Sequence, residues 1–493
     1  MQYNPNYERL APKWEFARDA YEGTEAIKRG RRALEYLPMT KQEIAETRAL
    51  GSSRHYEIRR ASASYENFFR PIVNDVAGFM QKNPPTVKFG AVSDAESPAE
   101  VRAIRWYGNR YDDGLAGLKQ RLNFAQVLEG RYGLLLDIVC GADGRDAQFS
   151  ITEYPAPAIL DGETAPLSPD APSAAEWILL DESARAFDRA AKTWHWRPRY
   201  RLLGLDANRE FYQTLLDDDP FERWRALDLL RPPRELTRYP MYRGRRLNFI
   251  PFTVCNVNHL GFDFWEDPPY LDVAHLAVGN YQIDSFYKTA LQNHASPTLV
   301  VTNADRPDPN IALGGVIWPT SRGGQPITAS LLETSGRGLA ELRAAKEFTK
   351  GALRYTSVRD LLEGAGANSS AEAIKLRTST GTAAVAAIDQ TGARAIEEQL
   401  VYASVWAGAS RHEAMDRITY EADTSYVVTE LQLQTVSNFI AQNEQHHILS
   451  REALYRLLNK SLPGVLPPYE DNTRQLESER GEGEPRQGPR ERR

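Results

Sequence analysis

The stretch EGAGANSSAEAIKLRTSTGTAAVAAI, residues 363–388, passes from a glycine loop into a helix made mostly of small side chains. The helix is predicted from about Ser370 to Gly408, on the order of 55 Å long. The large apolar residues that it offers for burial are Ile374, Leu376, Val385, Ile388, Ile396, Leu400, Val401 and Trp406. This sparse set predicts a helix that one chain alone does not anchor by burial. Small side chains permit close lateral packing, and copies repeated around a symmetry axis would supply the neighbours.

The totals of the chain exclude several classes of protein. A length of 493 residues predicts two or three domains. The 60 basic and 66 acidic side chains give a net charge of −6, which argues against a surface that grips DNA phosphates. It leaves open a protein past which DNA slides. Cys140 and Cys255 stand in apolar strand-like runs and are expected to be buried free thiols. With no signal peptide and no membrane-length apolar run, an intracellular soluble setting is expected.

Apolar periodicity predicts an α+β fold, with long helices and a β-rich region. One apolar stripe predicts a helix over 56–82, ended by Pro84 and Pro85, and a similar pattern predicts a second helix over 98–129. Short strand-like runs with turn residues between them predict a β-rich block over about 133–258. The first stripe consists of Tyr65, Phe69, Ile72, Val76 and Met80.

Helices return after the β-rich block. A helix is predicted from Pro268 to His294, with Asp267 as its N-cap and a favourable Asp284–Lys288 pair four residues apart. The strand-like runs TLVVT and GGVIWPT follow, and then a helix over about 338–360. Further helices are expected at 425–445 and 450–461. The charged stretch from Pro467 is too poor in apolar residues to fold.

The chain lacks the patterns GxxxxGK[ST], HExxH, GxSxG and CxxC, so no catalytic site, metal or cofactor is predicted. Three weaker features have two interpretations each. The run GAGANSS is a phosphate site or, more simply, a flexible loop with a helix cap. Glu266 and Asp267 are paired catalytic carboxylates or, more simply, a helix start. The stretch TWHWRPRYR (193–201) stacks on nucleic-acid bases or is an amphipathic strand.

The order of these elements resembles the portal proteins of tailed double-stranded-DNA bacteriophages. Two stretches carry the resemblance most clearly. FIPFTVCNVN (249–258) leads into the proline-led helix and strand of 268–302, and GANSSAEAIKLRTSTGTAAVAAI (366–388) is similar to the loop and long helix late in these proteins. The order of elements matches over about 50–460. The family has no invariant catalytic residue, so the likeness rests on pattern and order.

The resemblance implies a non-enzymatic ring, a dodecamer in this family, at one vertex of a viral capsid. It divides the chain into parts: wing 1–265, first stem helix 266–294, clip 295–335, second stem helix 336–362, tunnel loop 363–371, long wing helix 372–412 and crown 413–466. The disordered charged tail 467–493 is predicted from its composition and is not part of the resemblance. The stem would include Asp272, His275, Asp284 and Lys288. The clip would include Asp305, Arg306, Asp308, Trp318 and Arg322. The loop facing DNA would consist of Glu363, Gly364, Ala365, Gly366, Ala367, Asn368, Ser369 and Ser370.

The resemblance also implies partners and a location. Copies of the chain, the terminase large subunit, major capsid and scaffold proteins and tail adaptors would bind the ring, and double-stranded DNA would pass through it without sequence preference. The protein would belong to the virion, with the host cytoplasm as its place of assembly and no membrane involved. The alternatives are another head–tail structural protein, a hydrolase with its site in the β-rich block, and a nucleic-acid binder that uses 193–201.

Overall fold

The computed structural model describes residues 4–89, 101, 103–104, 109, 111, 113–140, 147–165, 175–189, 191–217, 229–230, 236–295, 298–302, 316–317, 328–332, 337–355 and 371–424. Within these ranges, side chains are described except at 140, 293, 298–337 and 354–382. The chain divides into two compact units, Met1–Ala422 and Asp423–Arg493, and every element below belongs to the first unit. The predicted helices at 425–445 and 450–461 and the tail from Pro467 lie outside the described residues, as does the loop Glu363–Ser370.

The described part of the first unit mixes helices and strands, so the predicted α+β class is confirmed at that level. The helices are α1 (Pro5–Glu22), α2 (Thr24–Arg29), α3 (Ala33–Tyr36), α4 (Lys41–Leu50), α5 (Arg54–Ser62), α6 (Phe69–Met80), α7 (Gly114–Glu129), α8 (Leu271–Ala295), α9 (Arg337–Tyr355), α10 (Ala371–Ala407) and α11 (Arg411–Arg417). A short 3-10 turn covers Ala156–Ala158.

The strands concentrate where the β-rich block is predicted, since β2 to β11 fall between residues 131 and 256. They are β1 (Thr86–Lys88), β2 (Arg131–Cys140), β3 (Ala147–Pro155), β4 (Ile159–Thr164), β5 (Ala175–Asp181), β6 (Ala184–Asp188), β7 (Thr193–Arg197), β8 (Tyr200–Leu205), β9 (Phe211–Leu216), β10 (Thr237–Arg238), β11 (Phe252–Asn256), β12 (Thr298–Thr302), β13 (Val316–Ile317), β14 (Thr328–Leu332) and β15 (Thr419–Glu421). The strands predicted in TLVVT and GGVIWPT are β12 and β13.

Two antiparallel sheets make up most of the β-rich block. One has five strands in the order β10-β9-β8-β5-β4, and the other has three in the order β11-β2-β3. In the second sheet Cys255 pairs with Tyr132 and Leu134 with Glu153. β6 and β7 form a two-stranded hairpin, β1 pairs with β15, and β12 lies between β13 and β14. The Cys255 thiol is free and buried, as predicted.

The main core lies between the three-stranded sheet, α7 and the C-terminal part of α10. Leu134 and Phe252 from the sheet and Leu122 from α7 are buried together with Ile396 and Trp406 of α10. A second cluster joins α1, α5 and α6 to the first half of α8, through residues such as Phe69 and Tyr281. The five stripe residues predicted between 65 and 80 are all buried in this second cluster.

The long helix α10 is found as predicted, but the expectation that one chain cannot anchor it is wrong. Ile388, Ile396, Leu400 and Trp406 are at most 4% exposed within a single chain. The small residues bring the helix axis close to its neighbour: a Cβ at Gly392 would meet the Leu122 Cδ2 atom at 2.6 Å. Close packing of small residues against α7 therefore replaces the bulk that the sequence lacks. From Val385 to Trp406, the helix is anchored by burial within a single chain.

Two other helices differ from prediction near the N-terminus. Residues 56–82 form α5 and α6 rather than one helix. Pro71 fits only the first turn of a helix, and the backbone N–H of Ser64 donates to Asp284 Oδ2, 220 residues later in the chain. Residues 98–129 are not one helix either, since Asn109 forms a β-bridge to Ile151 and α7 begins at Gly114.

The helix after the β-rich block begins at Leu271 rather than Pro268, so Asp267 is not its N-cap. Asp267 Oδ1 instead accepts a hydrogen bond from the Arg9 guanidinium at 3.0 Å, and its Oδ2 accepts one from the Lys13 ammonium at 2.6 Å. Two cations of α1 therefore hold this carboxylate away from the helix start. The helix predicted over 338–360 is α9, described as far as Tyr355. The long helix ends at Ala407, before Gly408 with its positive φ of 114°.

Candidate functional site: the α8–α9 helix pair

The candidate stem residues lie on α8, which packs against α9. Buried residues of α8 from Val273 to Tyr281 contact the N-terminal helices, so this half is seated in the body of the subunit. From Phe286 to Ala295 every residue of α8 whose side chain is described is at least partly exposed. The same holds for α9 from Gly338 to Phe348. The pair is therefore buried at one end and exposed at the other.

Asp284 stands where the buried half of α8 ends. Its carboxylate is 1% exposed, and its Oδ2 atom lies 3.2 Å from the Lys288 ammonium, which confirms the predicted pair. The Lys346 ammonium of α9 donates to Oδ1. The backbone N–H of Ser64, in the segment between α5 and α6, donates to Oδ2 at 2.7 Å. One buried carboxylate thus joins three segments of the chain.

A second carboxylate extends this arrangement. Glu66 Oε1 lies 3.3 Å from the Lys346 ammonium, and Glu66 Oε2 lies 2.9 Å from that of Lys350. We call Glu66, Asp284, Lys288, Lys346 and Lys350 the acid–lysine cluster. Charge-assisted hydrogen bonds of this kind are stronger than neutral ones and fix geometry. The cluster therefore sets the position of α9 on α8 at the point where the pair leaves the body.

The surroundings of the two carboxylates decide their charge. Burial disfavours the ionised form of Asp284, but hydrogen bonds from Lys346, Ser64 and Lys288 outweigh burial, so its pKa lies below the ordinary 3.8. For Glu66 the same contest, with Lys350 and Lys346 as donors, places the pKa below 4.5. Burial disfavours the charged form of Lys346, but Asp284 and Glu66 raise its pKa above the ordinary value. All three groups are therefore charged at neutral pH.

The other two predicted stem residues lie elsewhere on α8. Asp272 is exposed in the first turn of the helix. The His275 ring stacks on Phe16 of α1 at 4.4 Å between ring centres. Asp272 precedes Asp284 by about 18 Å along the helix, given 1.5 Å per residue. The structure therefore brings together Asp284 and Lys288 but neither Asp272 nor His275.

Sequence reasoning missed Ser64, Glu66, Lys346 and Lys350. Only the two lysines carried a signal, since they stand four residues apart on α9 near the half-buried Leu342 and the buried Leu353. Lysines in that position are expected to pair with acidic side chains. Their partner Glu66 lies in a non-helical segment 280 residues earlier, which no local pattern reveals.

The exposed half of the pair carries large apolar side chains. Phe348 of α9 is 80% exposed, and Leu291 of α8 is 44% exposed. Phe286 is 45% exposed even though the Arg59 guanidinium lies 5.2 Å from its ring centre. These three side chains lie on two neighbouring helices, and exposed apolar side chains can take part in protein–protein contacts. The geometry of this half is thus suited to contact with another molecule.

The remaining candidates are accounted for in the described residues or lie outside them. Glu266 Oε1 lies 2.7 Å from His259 Nδ1 and is directed to a different partner from Asp267, so the two carboxylates do not form a catalytic pair. The clip residues Asp305, Arg306, Asp308, Trp318 and Arg322 and the loop Glu363–Ser370 lie outside the described side chains. Among those described, no group of three or more His, Cys, Asp or Glu is placed to hold a metal. In the same part of the chain, no helix is long and apolar enough to cross a membrane.

Comparison with known proteins yields solved structures only. No family model and no curated protein matches this chain. One similar structure is the "Neck of empty GTA particle computed with C6 symmetry", at 14% identity and a TM-score of 0.39, covering 86% of this chain and 99% of that one. Another is the "Neck of native GTA particle computed with C12 symmetry", also at 14% identity and 0.39, covering 87% and 100%. A likeness of this strength assigns no function to the chain.

Proposed function

We propose that this chain is a structural protein of the head–tail junction of a phage-like particle and, more specifically, a portal subunit. Copies of it assemble into a ring at one capsid vertex, and double-stranded DNA passes through the ring during packaging and ejection. The role is structural rather than enzymatic. The terminase large subunit, the capsid and scaffold proteins and tail adaptors are its proposed partners.

The observation that carries the proposal is the α8–α9 pair. Its buried half is fixed to the body by the acid–lysine cluster, and its exposed half presents Phe286, Leu291 and Phe348. Exposed apolar side chains on this helix pair favour contact with a neighbour, because burial of such surface contributes roughly 25 cal/mol per Å². In a ring, that neighbour is the α8–α9 pair of the next copy of the chain.

The order of elements gives a second support. Helix α8, the segment with β12 to β14, helix α9 and helix α10 follow one another in the order that the portal resemblance implies. Helix α9 is described to Tyr355 and α10 from Ala371, and the proposed tunnel loop 363–371 falls at their junction. The assignments of wing, clip, tunnel loop and crown belong to this proposal. The weak likeness to neck structures is compatible with the proposal and is not one of its supports.

Native mass and imaging test the proposal directly. A ring of twelve 55.6 kDa chains would have a mass of about 670 kDa. Mass photometry of the purified full chain, followed by negative-stain electron microscopy, is expected to show annular particles with a central opening. A chain that stays monomeric across concentration and ionic strength, with no annular particles in any field, would refute the proposal.

A further inference from the structure

The hairpin of β6 and β7 forms a two-stranded sheet of its own. It continues the β5–β8 pairing, because the Glu182 N–H donates to the Arg199 carbonyl at 2.8 Å between the two pairs of strands. In the described part of the chain, no further strand pairs with it. All five residues of β7 are exposed, so the amphipathic strand predicted for 193–201 has no buried face here. A two-stranded ribbon has little stability of its own, so the hairpin depends on the β5–β8 pair that it continues.

One face of this hairpin is aromatic. Phe187 stands opposite Trp194, and Arg185 stands opposite Trp196. Opposed residues of an antiparallel pair share a face, as do residues two apart on one strand, so all four side chains lie on the same side. Trp194 is 66% exposed, Trp196 62% and Phe187 47%. The rings of Phe187 and Trp194 are 5.3 Å apart between centres, so they form one continuous patch.

The size of the patch indicates what kind of contact it makes. An aromatic side chain offers roughly 150–250 Å², so the exposed fractions of these three amount to about 340 Å². A standard stable interface needs about 800 Å² from each partner. The patch is therefore too small to hold an independent protein tightly. It is large enough to complete an interface to which the same subunit contributes other surfaces.

The charge of the hairpin favours the same kind of partner. Residues 184–197 hold four basic side chains (Arg185, Arg189, Lys192, Arg197) and one acidic one (Asp188), a net charge of +3. The whole chain carries −6, so the remainder of the chain carries −9. The hairpin and the rest of a second copy thus carry net charges of opposite sign, which favours long-range attraction between copies. Tryptophan and arginine are also the residues that dominate the energetics of interfaces.

We propose that the aromatic face formed by Arg185, Phe187, Trp194 and Trp196 docks onto a second copy of this chain. This inference rests on the proposed ring and names one surface that holds it together. The hairpin reaches from the five-stranded sheet of one subunit onto the next, whose residues outside the hairpin carry a net charge of −9. The two tryptophans and the phenylalanine lose their contact with water there, and the hairpin gains the packing that it lacks in a single subunit.

The test compares two double variants of the full chain. Trp194→Ser/Trp196→Ser removes the aromatic surface, and the matched control Trp194→Phe/Trp196→Phe keeps it. Both sites are exposed, so circular dichroism and thermal unfolding of the subunit are expected to match wild type. Mass photometry over a concentration series is expected to give at least a tenfold higher dissociation midpoint for the serine variant and a midpoint within threefold of wild type for the phenylalanine variant. Trp194 and Trp196 fluorescence, taken as the difference between wild type and the phenylalanine variant, is expected to shift to the blue on assembly.

Each other outcome overturns the inference in a recognisable way. If the serine variant assembles as wild type does, the hairpin is not an interface, and the ring itself stands. If wild type never assembles, the proposed function fails together with the inference. A fluorescent 30-nucleotide oligothymidine distinguishes the remaining alternative. Binding that disappears in the serine variant, with assembly unchanged, would assign the aromatic face to single-stranded nucleic acid instead.

Discussion

Replacement of Asp284 by asparagine is the sharpest test of how the helix pair is held. The substitution keeps the size of the side chain and an oxygen that can accept from the Ser64 N–H, now 2.7 Å away. It removes the charge that faces Lys288 and Lys346. Breaking a buried ion pair from one side costs about 3–5 kcal/mol. We expect the lower end, about 3 kcal/mol, because Lys346 keeps Glu66 at 3.3 Å.

Hydrogen exchange of the full chain, followed by mass spectrometry, measures this loss where it occurs. A decrease of about 3 kcal/mol in local opening free energy corresponds to roughly hundredfold faster exchange, expected in peptides that cover α8 beyond Gln282 and α9. Asp272→Asn is the matched control on the same helix. It removes an exposed carboxylate and is expected to change exchange by about twofold or less, since surface substitutions rarely exceed about 0.5 kcal/mol. Equal effects of the two variants, or unchanged exchange in α9, would refute the assignment.

Two further predictions concern acid and packing. The pKa values of Asp284 and Glu66 lie below their ordinary 3.8 and 4.5, so their contribution to stability is complete above about pH 5 and is lost as pH falls through the folded-state values. Exchange protection of α9, corrected for intrinsic rates, is thus expected to be constant from pH 7 to 5 and to decrease below 4; a decrease just as steep in Asp284→Asn would contradict this. Gly392→Val is expected to destabilise the fold by about 2 kcal/mol, because a Cβ there already meets Leu122 at 2.6 Å and Gln126 at 2.7 Å. Gly351→Ala, where no atom lies within 4 Å of the new Cβ, is expected to stabilise α9 by about 0.5–1 kcal/mol, and thermal unfolding that ranks the two glycine variants the other way would be the contrary result.

Most of the secondary structure was predictable from the apolar periodicity of the sequence. The helices α8, α9 and α10 lie close to their predicted limits, and the stripe from Tyr65 to Met80 is buried throughout. The sequence partly indicated the division between α5 and α6, because Pro71 is not tolerated in the interior of a helix over 56–82. Local patterns of this kind depend on residues three or four apart, which is why they survive without knowledge of the fold.

Contacts between segments that are distant in the chain were not predictable from the sequence. Asp267 looks like a helix cap beside Pro268, yet Arg9 and Lys13, more than 250 residues earlier, bind its carboxylate. Of the predicted stem residues, Asp284 and Lys288 were recognised by their spacing. Glu66 was not, because its partner Lys350 belongs to a helix 284 residues away. The anchoring of α10 was misjudged for a related reason: a list of large side chains cannot show how closely small ones let two helices approach.

The small-residue face of α10 limits how this protein can change over evolutionary time. Ala393, Ala395 and Ala403 are at most 2% exposed, and Gly392 already touches α7. A larger side chain at any of these buried positions must displace packed neighbours, whereas the exposed positions Gln390 and Arg394 of the same helix face no such barrier. Substitutions that change side-chain charge or size should therefore be tolerated at the exposed positions of the helix, and only alanine, glycine, serine and threonine at these small buried ones.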